Sequence, residues 1–276
     1  MTLKFILADA AIHLNTEEAT LEAQILLQYA LNVNRAWLIA HESDALEPNI
    51  HAAFEALIKR RLNGEPIAYI LGYREFYGLK LKVTPDTLIP RPDTETLVEA
   101  ALAKTPQNQT CKILDLGTGT GAIALAIARN RPQAFVTATD ASENALKIAQ
   151  ENAQNLEITI IEFVQSDWFG ALQNQSFDVI VSNPPYIEQN DVYLTQGDLR
   201  YEPITALASG QDGLDDIRHI IANAPQHLNS RGYLLLEHGY NQAQSVATLL
   251  KQADFCEIQT VKDLGGNDRV TLGRFS

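Results

Sequence analysis

Asn183-Pro184-Pro185-Tyr186 closes the apolar run Phe177 to Ser182. A β-branched run that ends in a stiff polar turn predicts a buried parallel strand with a site at its C-terminal end. Pro184 drives Asn183 towards an extended backbone, and neither proline carries an N–H. The turn therefore offers acceptors, the Asn183 side-chain oxygen and the Pro184 carbonyl, with the aromatic face of Tyr186 beside them. Such a set suits a planar substrate bearing an NH2 group, a carboxamide or a nucleobase amine. A bare Asn-Pro-Pro is more often simply a turn, so the neighbouring pattern has to decide.

Upstream, Gly117-Thr118-Gly119-Thr120-Gly121 follows the predicted strand Cys111 to Leu116 and opens a helix from Ala122 to Arg129. The glycines let the backbone turn sharply against a ligand, and the helix N-terminus offers free N–H groups. Gly117, Gly119 and Ala122 also fit the permissive dinucleotide fingerprint, which keeps an NAD enzyme in view. Asp115 argues against it, because an acid beside the loop repels a pyrophosphate and suits a cationic amino group, and the third glycine falls one residue early. S-adenosylmethionine carries both an α-amino group and a sulfonium. The next strand, Phe135 to Thr139, ends in Asp140, where a carboxylate can take two ribose hydroxyls. A third strand, Ile158 to Val164, leads into Asp167-Trp168, an acid for an adenine amino group and a ring to stack on it; plain core packing is the alternative for Trp168.

These residues need a frame, and the alternation of strands and helices from about residue 92 predicts an α/β, Rossmann-like sheet with helices on both faces. Two closing strands, Phe255 to Val261 and Arg269 to Phe275, have no helix between them and predict an antiparallel pair at the edge. Residues 3 to 63 read as short amphipathic helices: a stripe of Ile6, Ala10, Ile12 and Leu14, a second of Leu21, Ile25, Leu26 and Tyr29 capped by Thr16, a brief helix from Arg35 to His41, and one from Pro48 to Leu62. His13, His41 and His51 are scattered, without metal-ligand spacing. Tyr73 to Tyr77 and Leu79 to Val83 alternate about Gly78 as a β-hairpin. The expected division is a helical module over 1–72, a hairpin linker over 73–91 and a catalytic domain over 92–276. Arg91 and Glu95, next to two prolines, are cleft-lining candidates, and a helix start capped by Asp93 explains the same residues equally well. The irregular stretch 191–208 is expected to form a flap over the substrate; Glu202-Pro203 within it is a candidate for partner contact, with a solvent-facing acid as the default reading of Glu202.

With 276 residues, 46% of them hydrophobic, the chain can bury a sizeable core. Its formal charge is −13. Residues 1–90 hold 8 basic and 11 acidic side chains, leaving 21 − 8 = 13 and 34 − 11 = 23 for the rest, so the catalytic part is the acidic one. That field disfavours a phosphate backbone, and Lys59-Arg60-Arg61 is the only basic triplet, read as a complement to a helix C-terminus. Two isolated cysteines, the absence of a membrane-length apolar run and of a leader-like N-terminus point to a cytoplasmic protein with no membrane partner and no metal.

Gly64-Glu65-Pro66-Ile67, Arg74-Glu75-Phe76, Ile89 to Glu95, Asp115 to Ala122, Ser182 to Tyr186 and Asp268-Arg269-Val270 resemble the bacterial peptide-chain release factor glutamine N5-methyltransferases, the HemK family of class I S-adenosylmethionine-dependent methyltransferases. The resemblance covers nearly the whole chain. It implies a seven-stranded methyltransferase sheet with an antiparallel edge strand, and a monomer using S-adenosylmethionine and releasing S-adenosylhomocysteine. The substrate it implies is the glutamine of the Gly-Gly-Gln motif in class 1 release factors. In the same terms, Gly117 to Gly121, Asp140, Trp168 and Asn183 contact the cofactor, and Asn183, Pro184, Pro185 and Tyr186 hold the glutamine. A ribosomal-protein glutamine methyltransferase and an N6-adenine methyltransferase carry similar loops and are the rivals; an inactive scaffold is a third.

Overall fold

A computed structural model describes residues 1–14 and 16–276. The chain divides into two compact units, Met1–Tyr73 and Arg74–Ser276.

The first unit is helical: α1 (Leu3–Leu14), α2 (Ala19–Leu31), α3 (Arg35–Ala40), α4 (Pro48–Leu62) and the short α5 (Ile67–Leu71). The buried face of α1 is Leu3, Ile6, Ala10 and Leu14, whereas Ile12 is 76% exposed, because it lies off that stripe. In α2 the core face is Ala19, Ala23, Leu26 and Leu27, not Leu21 and Tyr29, which face out. Small alanines let α2 approach α1 and α4 closely, so helix contact overrides the bulkier stripe. Thr16 does not cap α2; its hydroxyl donates to Glu22 Oε2 at 3.2 Å. The basic triplet ends α4, as its reading as a dipole complement requires, but two of its members are also neutralised by specific partners. Arg61 forks onto the buried Glu22 at 2.7 and 3.0 Å, and Arg60 pairs with Glu65.

The hairpin pairs β1 (Tyr73–Phe76) with β2 (Leu79–Lys82). Tyr77 and Gly78 both take left-handed φ values, 50° and 71°, as a two-residue turn matched to strand twist requires. Phe76, Leu79 and Leu81 are buried in the core of the second unit. There, α6 (Glu95–Lys104) leads to β3 (Lys112–Leu116), α7 (Ala122–Asn130), β4 (Phe135–Asp140), α8 (Glu143–Asn155), β5 (Ile161–Gln165) and β6 (Phe177–Ser182). After three 3-10 turns between Val192 and Ala206 come α9 (Asp215–Asn223), β7 (Leu228–Glu237), α10 (Ala243–Gln252), β8 (Phe255–Lys262) and β9 (Asp268–Phe275).

The seven-stranded sheet has the order β5-β4-β3-β6-β7-β9-β8. β3 to β7 pair in parallel, while β9 runs antiparallel to both β7 and β8 and so lies one strand in from the edge. Alternate residues of each central strand enter opposite cores. Ile113, Val179 and Val181 meet α6 and α7; Leu114, Ile180 and Leu236 meet α9 and α10. Burial on both faces explains why these strands read as continuous apolar runs. Among the described residues no helix is long and apolar enough to cross a membrane.

Candidate active site

β3 pairs with β4 on one side and β6 on the other, so the chain leaves this strand in opposite directions, and a crevice opens above the carboxyl ends. A cavity of about 470 Å³ lies there. Each of the four strand ends β3 to β6 contributes to it: Gly117 and Gly119, Asp140, Asp167 and Trp168, and Asn183 with Pro185. The turn region after β6 closes it with Pro203, Thr205 and Ala206. Of the stretch 191–208 only residues 203–206 thus reach the wall, while 191–202 stand away from it, and Ile187 bridges Ala208 just beyond.

The glycine loop is held from β4. Thr118 N–H donates to the Thr139 carbonyl at 2.8 Å, and Gly119 N–H donates to Asp140 Oδ2 at 2.9 Å. Asp140 Oδ1 accepts the Ser142 N–H at 2.9 Å. Each oxygen has spent one lone pair, leaving a second on each for a vicinal diol. Burial holds this carboxyl above its ordinary range, opposed by the Ser142 and Gly119 amides. Gly117 (φ 71°) faces the Trp168 ring, whose atoms would lie 3.6 Å from a Cβ there; at Gly119 (φ 55°) a Cβ would enter open space. Trp168 is itself held at φ 47°. For a non-glycine residue that conformation is uncommon; the ring lies on the cavity wall and also packs against the core on the α9 side, so both readings of Trp168 hold.

Asp115, Thr118, Thr120 and Gly121 are not on the wall. Asp115 is wholly buried, with Oδ2 accepting from Thr118 Oγ1 at 2.6 Å and from the Ala124 N–H at 3.2 Å. Its Oδ1 is buried without a partner, and burial pushes the carboxyl up to about 7. Thr118 thus acts inward, on the acid rather than on the cavity.

Asn183 Nδ2 donates to Thr94 Oγ1 at 3.2 Å. Pro184 is buried, and Tyr186 packs against the core on the α9 side. The ring of Tyr186 is therefore a buttress, not a wall; its hydroxyl donates to Glu237 Oε1 at 3.3 Å. Burial and the Glu237 charge hold that phenol well above its ordinary range. Behind the turn, Gln242 Nε2 donates to the Tyr186 carbonyl at 3.0 Å and to the Asp212 carbonyl at 3.3 Å. Arg91 and Glu95 do not line the cavity either. Glu95 Oε1 accepts the Tyr77 N–H at 2.9 Å, pinning the hairpin turn. Arg91 pairs with Glu202, whose side chain has no exposed surface and which also accepts the Ile89 N–H at 2.9 Å. Glu202 is thus the opposite of a solvent-facing acid: it ties the cavity wall at 203–206 to the segment at 85–88 that faces the same cavity.

Sequence reasoning missed Asp86 and Asp216 on the wall, and Thr94 and Glu237 behind Asn183. No spacing marks them, since their partners are remote in the chain. Asp86, Asp140, Asp167 and Asp216 face the cavity, and no Lys or Arg does among the described residues. A wall whose only charged side chains are carboxylates fits a cationic ligand with an ammonium and a sulfonium, and opposes a pyrophosphate.

Strand order, a crevice fed by four strand ends and this donor set define an S-adenosylmethionine-dependent methyltransferase. The Methyltransferase small domain family model matches residues 93–198, and the PrmC N-terminal domain model matches residues 6–72. The chain belongs to the release factor glutamine methyltransferase family. It is 49% identical to the release factor glutamine methyltransferase of Salmonella typhimurium over 92% of each chain. To that of Pseudomonas aeruginosa it is 48% identical over 100% of this chain and 99% of the other. A methyltransferase from Pyrococcus furiosus, 21% identical, shares the fold with a TM-score of 0.53 over 79% of this chain and 96% of its own.

Proposed function

We propose that this chain methylates the side-chain amide nitrogen of the glutamine in the Gly-Gly-Gln motif of class 1 release factors. The methyl donor is S-adenosylmethionine, which supplies an electrophilic methyl group on a sulfonium. Gly117, Gly119, Asp140, Asp167 and Trp168 are the residues that would hold it, and the helical unit would recognise the release factor.

The observation that carries the reading is the engagement of Asn183. Its Nδ2 is committed to Thr94, so the oxygen of the same amide stays available as an acceptor at the cavity, as a substrate NH2 requires. The amide nitrogen of glutamine is a poor nucleophile because its lone pair is delocalised into the carbonyl. Asn183 Oδ1 and the Pro184 carbonyl, accepting its two N–H bonds, would turn that lone pair towards the methyl group and stabilise positive charge as it develops on nitrogen. No strong base is needed, because the methylated nitrogen is acidic and loses its proton to water. Alignment alone can supply about 7–11 kcal/mol in the best intramolecular cases.

The test is transfer of labelled methyl from S-adenosylmethionine to a purified class 1 release factor, with the Gln→Ala motif variant of that factor and a nucleic-acid preparation as parallel acceptors. Label confined to the motif glutamine is the expected result. Label in the nucleic acid, or in another protein of a lysate in preference to the release factor, refutes the reading. Asn183→Ala should abolish transfer and leave S-adenosylmethionine affinity within about tenfold.

A further inference from the structure

Asn152, on α8, is 1% exposed and does not line the cavity. Its carboxamide makes three hydrogen bonds, all to main chain. Oδ1 accepts the Lys82 N–H at 2.7 Å, and Nδ2 donates to the Lys82 carbonyl at 3.0 Å and to the Thr120 carbonyl at 2.9 Å. Main-chain partners have fixed polarity, so a rotated amide would set its oxygen against two carbonyl oxygens and its NH2 against an N–H. Both bridged residues stand next to the cavity. Thr120 follows Gly119 on its wall, and only Val83 and Thr84 separate Lys82, the end of β2, from the cavity-lining run Pro85 to Leu88. α8 backs the same two walls elsewhere. Asn144 Nδ2 donates to Asp86 Oδ1 at 3.1 Å, and Ala149 lies so near the glycine loop that a Cβ on Gly121 would fall 3.1 Å from the Ala149 Cβ.

We infer that Asn152 is a positioning residue for the methyl donor: it sets the spacing between the glycine loop and the 85–88 wall, and with it the fit of the cavity around S-adenosylmethionine. The first half of the glycine loop is held from β4 through Thr118 and Gly119. Asn152 holds the second half through Thr120. At the other wall its amide engages both the N–H and the carbonyl of one residue of β2, as a neighbouring strand would. One side chain thus ties together two segments that are remote in the chain and face one ligand. A neutral amide suits the task, since it satisfies three buried main-chain groups without adding a charge beside a cavity lined by carboxylates. An aspartate here would still accept from Lys82 but would turn an oxygen on the two carbonyls and drive the segments apart.

This inference rests on the proposed seat of S-adenosylmethionine, and the experiment separates the two. Affinities for S-adenosylmethionine and S-adenosylhomocysteine are measured by calorimetry, transfer to the release factor as kcat and KM, and folding by thermal denaturation. Asp140→Ala serves as the reference for a residue on the cavity wall. For Asn152→Asp we expect both affinities to fall at least about tenfold, as where buried acceptors lose their donor, with kcat at saturating donor within about threefold of the wild-type value because the clamp is untouched. Gln242 is the matched comparison: its buried amide has the same bonding pattern, the Gly239 N–H on Oε1 at 2.8 Å and two carbonyls on Nε2, but stands behind the Asn-Pro-Pro-Tyr turn. Gln242→Glu should do the reverse, lowering kcat about 10²-fold by misplacing the reacting group and leaving both affinities within about threefold. Wild-type affinity in a folded Asn152→Asp protein, with affinity lost in Asp140→Ala, overturns this inference alone. Equal loss of affinity in Asn152→Asp and Gln242→Glu also overturns it, since that is general loosening. Wild-type affinity in Asp140→Ala removes the donor from this cavity and takes the functional reading down with the inference. If Asn152→Asp does not fold, Asn152→Ala, which sets no oxygen against the carbonyls, is judged by the same criteria.

Discussion

Gly213 lies outside the cavity, yet its replacement by alanine should cripple the enzyme. It sits at φ 72°, and a Cβ there would fall 2.2 Å from the Tyr186 carbonyl oxygen and 2.8 Å from Gln242 Nε2. Something must shift by roughly 1 Å or more to restore ordinary contact. The atoms in the way are backbone of the Asn-Pro-Pro-Tyr turn and the side chain that supports it. A matched control exists in Gly266, in the turn between β8 and β9: its φ is 83° and a Cβ would touch nothing within 4 Å. Both alanine variants incur the left-handed backbone cost of about 1–2 kcal/mol. Only Gly213→Ala adds overpacking, about 1–3 kcal/mol. At about 2–4 °C per kcal/mol for a domain of this size, Gly266→Ala should lower the melting temperature by roughly 2–8 °C and Gly213→Ala by roughly 4–20 °C. Displacing the turn by about 1 Å should also cost about 10²-fold in kcat, with S-adenosylmethionine affinity within about threefold, while Gly266→Ala transfers methyl at the wild-type rate. Equal melting shifts together with an unimpaired kcat in Gly213→Ala would show that the turn is not backed by this residue.

Removing one partner of the Arg91–Glu202 pair should be asymmetric. Arg91→Ala strands a carboxylate with no exposed surface, at a cost of about 3 kcal/mol. Glu202→Gln leaves an arginine that is about one-third exposed and should cost only about 1 kcal/mol; urea unfolding giving the reverse order refutes this. Asp115, pushed up to about 7 by burial, is favoured in its neutral form by the fold, so the stability it contributes is full below its unfolded value near 4 and is lost as pH rises through about 7. The melting temperature of the unliganded enzyme should therefore fall as pH rises from about 4 to about 7, and fall less in Asp115→Asn. Trp168→Ala should weaken S-adenosylmethionine binding by about tenfold, since one aromatic contact of this kind contributes about 0.5–1.5 kcal/mol beyond its buried area. An unchanged affinity would remove the ring from the cofactor site.

What could be read from the sequence and what could not divide along contact distance in the chain. Gly117, Asp140, Trp168 and Asn183 stand where strands stop, and strand ends are marked locally by a change from apolar run to polar turn, so their convergence on one crevice follows from the alternating pattern and the strand order. Glu95, Arg91 and Tyr186 sit beside equally clear signals, but their side chains turn to Tyr77, Glu202 and Glu237. Nothing local distinguishes a polar side chain that faces a cavity from one that braces its wall. Glu202 reads as a surface acid because its partners lie over a hundred positions away. The packing face of α2 is hidden for a related reason: hydrophobicity alone favours Leu21, whereas the neighbouring helices demand the small Ala19 and Ala23.

The carboxylates of the cavity wall bear on turnover as well as capture. Methyl transfer removes the sulfonium charge, so the spent donor is less cationic than the fresh one while Asp86, Asp140, Asp167 and Asp216 stay where they are. The attraction that gathers the reactant is therefore partly cancelled by the reaction itself, and the wall discriminates between full and empty carriers by charge alone. Added salt should narrow that difference.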